Sequence, residues 1–149
     1  MPVVVLVDTN VWISAFINPH GFPAKVKDAW LAGEFDVVVS MPLLEELVDV
    51  LHRPRIKDKY GFTDDETEEY LRLIAEQAIS VKASGDFKVC RDPDDDLILE
   101  TALVGKANYA VSRDDDIKAD EDLIAHMKAR GVKVLTVSQF LRKLKVGEL

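Results

Sequence analysis

The chain alternates between two hydrophobic rhythms. Residues 3–7 run Val3, Val4, Val5, Leu6, Val7 without a polar break. Such a run predicts a strand buried on both faces, as in the middle of a parallel sheet. Similar runs at 35–39, 107–111 and 132–137, and a shorter one at 79–81, predict four more strands. Between them, apolar residues recur at helical spacing. Ser40 reads as an N-cap, and the stripe behind it is Leu43, Leu44, Leu47, Val48 and Leu51, with Glu45, Glu46 and Asp49 off it. Thr63 to Glu66 forms a capping box for a helix reaching about Ala78, which buries Tyr70, Leu71 and Ile74.

The remaining helices follow from punctuation. Residues 11–17 predict a short helix that stops at the breaker 18–21, and Pro23 opens another reaching about Ala32. Arg53-Pro54 interrupts the chain, and 57–62 reads as a polar connection. Asp92 before Pro93 reads as an N-cap for a helix ending at Gly105. A helix over about 122–130 stops at Gly131, and Ser138 caps a last one carrying Phe140, Leu141 and Leu144. Strands that alternate with helices predict an α/β protein, a parallel sheet covered by helices on both faces. No repeat, low-complexity segment or linker divides residues 1–149, so a single domain is expected.

Composition adds limits. The 149 residues carry 19 basic and 27 acidic side chains, a formal charge of −8, which argues against a basic coat for nucleic acid. No run is long enough to span a membrane and no signal peptide is apparent, so a cytoplasmic protein is expected. Cys90 is the single cysteine, which predicts neither an internal disulfide nor a cysteine-based zinc site. His20, His52 and His126 stand far apart, none with a second histidine at metal-ligand spacing, and each reads as a surface or satisfied residue rather than a ligand.

The acids are placed more tellingly than their total suggests. Asp8 ends the first strand, where open α/β sheets put their ligands. Glu45 or Glu46 lies in the helix after the second strand, residues 92–96 hold four aspartates at a helix start, and Asp114 and Asp116 follow the fourth long strand. Each alone fits a helix cap or a solvated turn. Together they can meet at one sheet edge, where carboxylates repel unless a cation joins them. Mg²⁺ or Mn²⁺ suits such oxygen donors and supports phosphodiester cleavage.

The ordered set resembles the PIN-domain family, including the toxin ribonucleases of VapBC-type toxin–antitoxin pairs. The segments are residues 5–11, 40–51 with Leu44-Glu45-Glu46-Leu47, 92–102, and 106–114. The resemblance implies a three-layer α/β/α fold around a mostly parallel sheet of about five strands. It implies a Mg²⁺- or Mn²⁺-dependent endoribonuclease cutting single-stranded RNA, paired with a small antitoxin and dimeric with itself. By position, the resemblance implies that Asp8, Glu46, Asp95 and Asp114 are the catalytic acids, and Asp8, Asp95, Asp114 and Asp116 the metal ligands. Thr9, Asn10 and Ser112 support them. Arg113 stands where the family commonly has a small residue; its cation beside the acids reads either as a holder of substrate phosphate or as the partner of a neighbouring acid. A haloacid-dehalogenase-type phosphatase would need an aspartate where Asn10 stands, and a receiver domain a lysine after the last strand. A PIN-like scaffold without activity, acting through protein or RNA partners, is the alternative.

Overall fold

The computed structural model describes residues 3–113 and 121–149. Its sheet consists of β1 (Val4–Val7), β2 (Asp36–Ser40), β3 (Ile79–Val81), β4 (Tyr109–Ser112) and β5 (Lys133–Thr136), in the order β3-β2-β1-β4-β5. Every neighbouring pair is parallel. The helices among the described residues are α1 (Thr9–Ile17), α2 (Phe22–Leu31), α3 (Met41–Leu51), α4 (Pro54–Tyr60), α5 (Asp64–Gln77), α6 (Pro93–Val104), α7 (Glu121–Ala129) and α8 (Val137–Lys145).

The period of two along each strand builds the three layers. Val5, Val7, Val37, Val39, Val111 and Leu135 point into one core with side chains of α1, α2, α3, α5 and α8. Leu6, Val38 and Ala110 point the other way, onto Leu99 and Ala102 of α6 and Leu123 and Met127 of α7. This accounts for the unbroken apolar runs, since both faces of the central strands are covered. The architecture is the α/β/α sandwich expected from the alternation, with every described strand pairing parallel.

Trp12 belongs to the first core, edge-on to Trp30 at 5.3 Å between ring centres. Tyr70 of α5 donates its hydroxyl proton to the Trp12 carbonyl at 2.7 Å. The bond ties α5 to α1 in a site so buried that the phenol is pushed well above its ordinary pKa.

Three local features differ from expectation. The stretch after Arg53-Pro54 is a helix, α4, because Pro54 sits in its first turn and Gly61 closes it at φ 70°. None of its residues is buried, so no apolar stripe announced it. The last strand ends at Thr136, not 137, and Thr136 rather than Ser138 caps α8 through a capping box with Gln139. Ser40 does hold the N-cap position of α3, yet its hydroxyl instead meets Thr101 Oγ1 at 2.7 Å in the interior, joining α3 to α6.

Gly105 is needed for close approach. At the end of α6, a Cβ there would come within 2.3 Å of Val38 Cγ2 on β2. Gly105→Ala should therefore destabilise the protein by about 1–3 kcal/mol through overpacking. Urea unfolding checks this, with the loss read from the transition midpoint at an unchanged slope.

The chain runs outward from β1 through β2 to β3, then returns to place β4 on the other side of β1. The strand order therefore reverses between β1 and β4, and the crevice beyond their carboxyl ends is where such sheets bind ligands.

Candidate active site

Asp8 follows β1 directly and precedes α1. Its N–H donates to the Val111 carbonyl at 3.0 Å, continuing the β1–β4 ladder by one bond. Ser112, the last residue of β4, donates its hydroxyl to Asp8 Oδ2 at 2.8 Å. Two strand ends thus fix one carboxylate. Around it opens a cleft of about 280 Å³ whose polar lining includes Asp8, Asn10, Glu46, Asp92, Asp94 and Asp95. Leu6, Ile98, Leu123 and Met127 supply apolar wall.

Glu46 reaches the cleft from α3. Thr9 Oγ1 and Glu46 Oε2 are 3.5 Å apart, so this hydroxyl faces the second acid. Glu45, one residue earlier and turned about 100° around the helix, does not line the cleft. The aspartate run separates by the same rotation. Asp92 caps α6 by accepting the Asp94 N–H at 3.0 Å. Asp95 is buried in the cleft wall, and Asp94 lines the cleft from an exposed position. Asp96 is buried elsewhere, its Oδ1 accepting the N–H groups of Val89 at 3.0 Å and Cys90 at 2.8 Å. Those bonds hold its carboxyl below the usual range. Glu100, one turn on, receives Ser84 and Gly85 in the same way. Asp96 and Glu100 therefore fasten the connection that leads into α6.

Arg113 follows β4, is exposed and does not line the cleft. Asp114 and Asp116 lie outside the described residues. Sequence reasoning gave no role to Arg53, whose charge is close enough to favour the ionised form of Glu46. It also gave none to Leu123 and Met127, whose place in the wall depends on how α7 docks.

Crowding of like charge shows in Glu46. Burial first, then the charges of Asp8 and Asp94, raise its pKa above the ordinary 4.5. A raised carboxyl pKa means the folded state holds the proton more tightly than the unfolded one. Its contribution is thus fully present below about pH 4.5 and is lost as pH rises through the folded value. Glu46→Gln should flatten that fall and leave the metal-free protein more stable at neutral pH. Melting curves of both proteins across pH 4–8 check the difference.

The donor set fits a divalent cation: carboxylate oxygens, with the one on Glu46 crowded by the charges of Asp8 and Asp94. The carboxylates are spread out. Among the described residues, the group of three donor atoms within 4.8 Å of one another lies elsewhere, at Cys90, Asp122 and His126. A spread set of oxygens suits a small hard ion that keeps several of its waters.

The parallel sheet, its switch point and this acidic cleft define a three-layer α/β protein with a carboxylate-rich site. The chain belongs to the PIN-domain family, whose model matches residues 4–116 and so spans Asp8, Glu46 and Asp95. Members of this family are generally nucleases that use divalent metals. An uncharacterised protein of Methanocaldococcus jannaschii is 28% identical over 141 residues, covering 93% of this chain and 90% of the relative. Among solved structures, VapBC2 of Rickettsia felis bound to a promoter DNA fragment contains a similar chain. The match has a TM-score of 0.54 at 14% identity, and covers 89% of this chain and 98% of the other. Among the described residues, no helix is long and apolar enough to cross a membrane.

Proposed function

We propose that this protein is a Mg²⁺- or Mn²⁺-dependent endoribonuclease that cuts single-stranded RNA, and that it is the toxin of a toxin–antitoxin pair. The observation that carries the proposal is the meeting of Asp8, Glu46 and Asp95 in one cleft at the strand-order reversal. By the family resemblance Asp8, Asp95, Asp114 and Asp116 would hold the ion; of these, Asp8 and Asp95 line the cleft, and Asp114 and Asp116 lie outside the described residues. A bound divalent ion would supply water activation and charge stabilisation at the scissile phosphate.

The remaining work falls to the chain itself. Ser112 and the β1–β4 ladder hold Asp8 in place, so its carboxylate need not reorganise. Glu46, with its raised pKa, is suited to accept a proton during attack. Arg53, whose charge is felt by Glu46 although it also pairs with Asp49 at 3.0 Å, and Arg113, just after β4, are the cations assigned to substrate phosphate at the cleft rim. With a net charge of −8 the protein neutralises few phosphates, so binding should be weak and have a shallow salt slope. A single strand enters such a cleft more easily than a stiff duplex. The antitoxin partner is proposed from the similarity to the VapBC2 complex, and a homodimer from the family resemblance.

The test is a panel of labelled single-stranded RNA, duplex RNA and single-stranded DNA, with Mg²⁺, Mn²⁺ or EDTA. Cleavage of single-stranded RNA, dependent on either ion and stopped by EDTA, is the expected result. Cutting that persists in EDTA contradicts the mechanism. No cutting of any RNA favours the inactive scaffold.

A further inference from the structure

Away from the acidic cleft, three donors of different chemistry meet from distant parts of the chain. Cys90 lies just before α6, while Asp122 and His126 stand four residues apart on one face of α7. A thiol sulfur, a carboxylate oxygen and an imidazole nitrogen all lie within 4.8 Å of one another, each side chain partly buried. Asp122 Oδ1 is 3.6 Å from His126 Nε2. Two ligands on one tetrahedral ion, each bonded at about 2.0–2.1 Å, stand roughly 3.4 Å apart.

We propose that Cys90, Asp122 and His126 form a second metal site, for a Zn²⁺-like ion, which clasps the segment entering α6 to α7. The donor set decides the ion, because a thiolate and an imidazole favour zinc over the hard ions suited to the acidic cleft. The backbone beside the thiol is already held. Arg91 N–H donates to Asp122 Oδ2 at 2.8 Å, and Asp96 accepts the N–H groups of Val89 and Cys90. Three protein ligands leave the fourth position to solvent.

Burial first, then Asp96, Asp122 and Asp95, push the Cys90 thiol up to about 12. A divalent cation offsets that negative surrounding and binds the sulfur as thiolate. Binding releases the thiol proton to solvent. With Nε2 on the ion, the imidazole proton moves to Nδ1, which gives up the bond it accepts from Arg130 Nη1 at 3.2 Å; Arg130 keeps its bond to the His126 carbonyl at 3.1 Å. Arg91 Nε, 3.4 Å from Asp122 Oδ1 on an exposed side chain, yields that oxygen to the ion. Asp92, Asp94 and Asp95 follow the clasped segment, and α7 contributes Leu123 and Met127 to the cleft wall. The second ion thus braces two walls of the acidic cleft from outside.

Titration with Co²⁺, followed by absorption, tests this directly. The wild type should show a thiolate-to-cobalt band that saturates near one equivalent. Zn²⁺ should abolish the band, and excess Mg²⁺ should not. Cys90→Ser should remove it, while Asp122→Asn and His126→Gln should each weaken cobalt binding about tenfold or more. Asp8→Asn should keep the band, which separates this site from the proposed nuclease site. If Cys90→Ser does not fold, the other two variants decide the question. A wild type without the band overturns the proposal. So does cobalt binding that is equally tight in Asp122→Asn and His126→Gln, because the thiol would then be acting alone.

Discussion

Replacing Asp8 by asparagine should lower metal-dependent RNA cleavage about 10²-fold or more while the protein still folds. Asparagine has nearly the same shape and can still accept the Ser112 hydroxyl, but it brings no charge to a cation. Loss of one negative group also relieves Glu46, whose pKa Asp8 helps to raise. The metal-free variant should therefore melt at or above the wild-type temperature. Asp95→Asn should lower the rate to a similar degree, while Glu45→Gln should leave it near wild type. Asp96→Asn should act mainly on stability, since that carboxylate holds the Val89 and Cys90 N–H groups. Single-turnover rates, paired with calorimetric melting of each variant, give both quantities. Unchanged cleavage in Asp8→Asn would remove the cleft from the chemistry.

The largest expected stability effect lies far from the cleft. Phe140 of α8 is fully buried and packs edge-on against Phe35 at 5.0 Å. Phe140→Ala removes a large side chain from a core with little room to collapse, at a cost of about 3–5 kcal/mol. For a chain of this size that lowers the melting temperature on the order of 10 °C. Differential scanning calorimetry at fixed protein and metal concentration checks it. A shift of a degree or two would mean that α8 repacks, and that it contributes less to closing the β5 side of the core than the contacts suggest. Cleavage at low temperature should survive in this variant, which separates loss of fold from loss of site.

Much of this was legible in the sequence where local pattern and tertiary structure agree. Val3 to Val7 reads as a central strand because both of its faces are covered, and β1 sits in the middle of the sheet. The capping box at Thr63 and Glu66 formed as read, because it needs only four consecutive residues. Helix α4 was hidden because its residues are all outside the core, which leaves no apolar stripe. Pro54 served as a start signal rather than a break.

Asp8, Glu46 and Asp95 line one cleft, as their places after strands suggest, while Asp114 and Asp116 lie outside the described residues; which of two neighbouring acids faces the cleft was not legible. Neighbours on a helix differ by about 100° of rotation, so only the docking of α3 and α6 separates Glu46 from Glu45 and Asp95 from Asp96. The cluster of Cys90, Asp122 and His126 left no local signal. A lone cysteine and a lone histidine become neighbours only when α7 packs beside the start of α6.

Crystals soaked in Mn²⁺ and measured for anomalous scattering test the central claim most directly. A peak is expected in the cleft, within ligand distance of Asp8 and Asp95, that is lost or much weakened in Asp8→Asn. A well-soaked crystal with no peak in that cleft, or an undiminished peak in the variant, would contradict it.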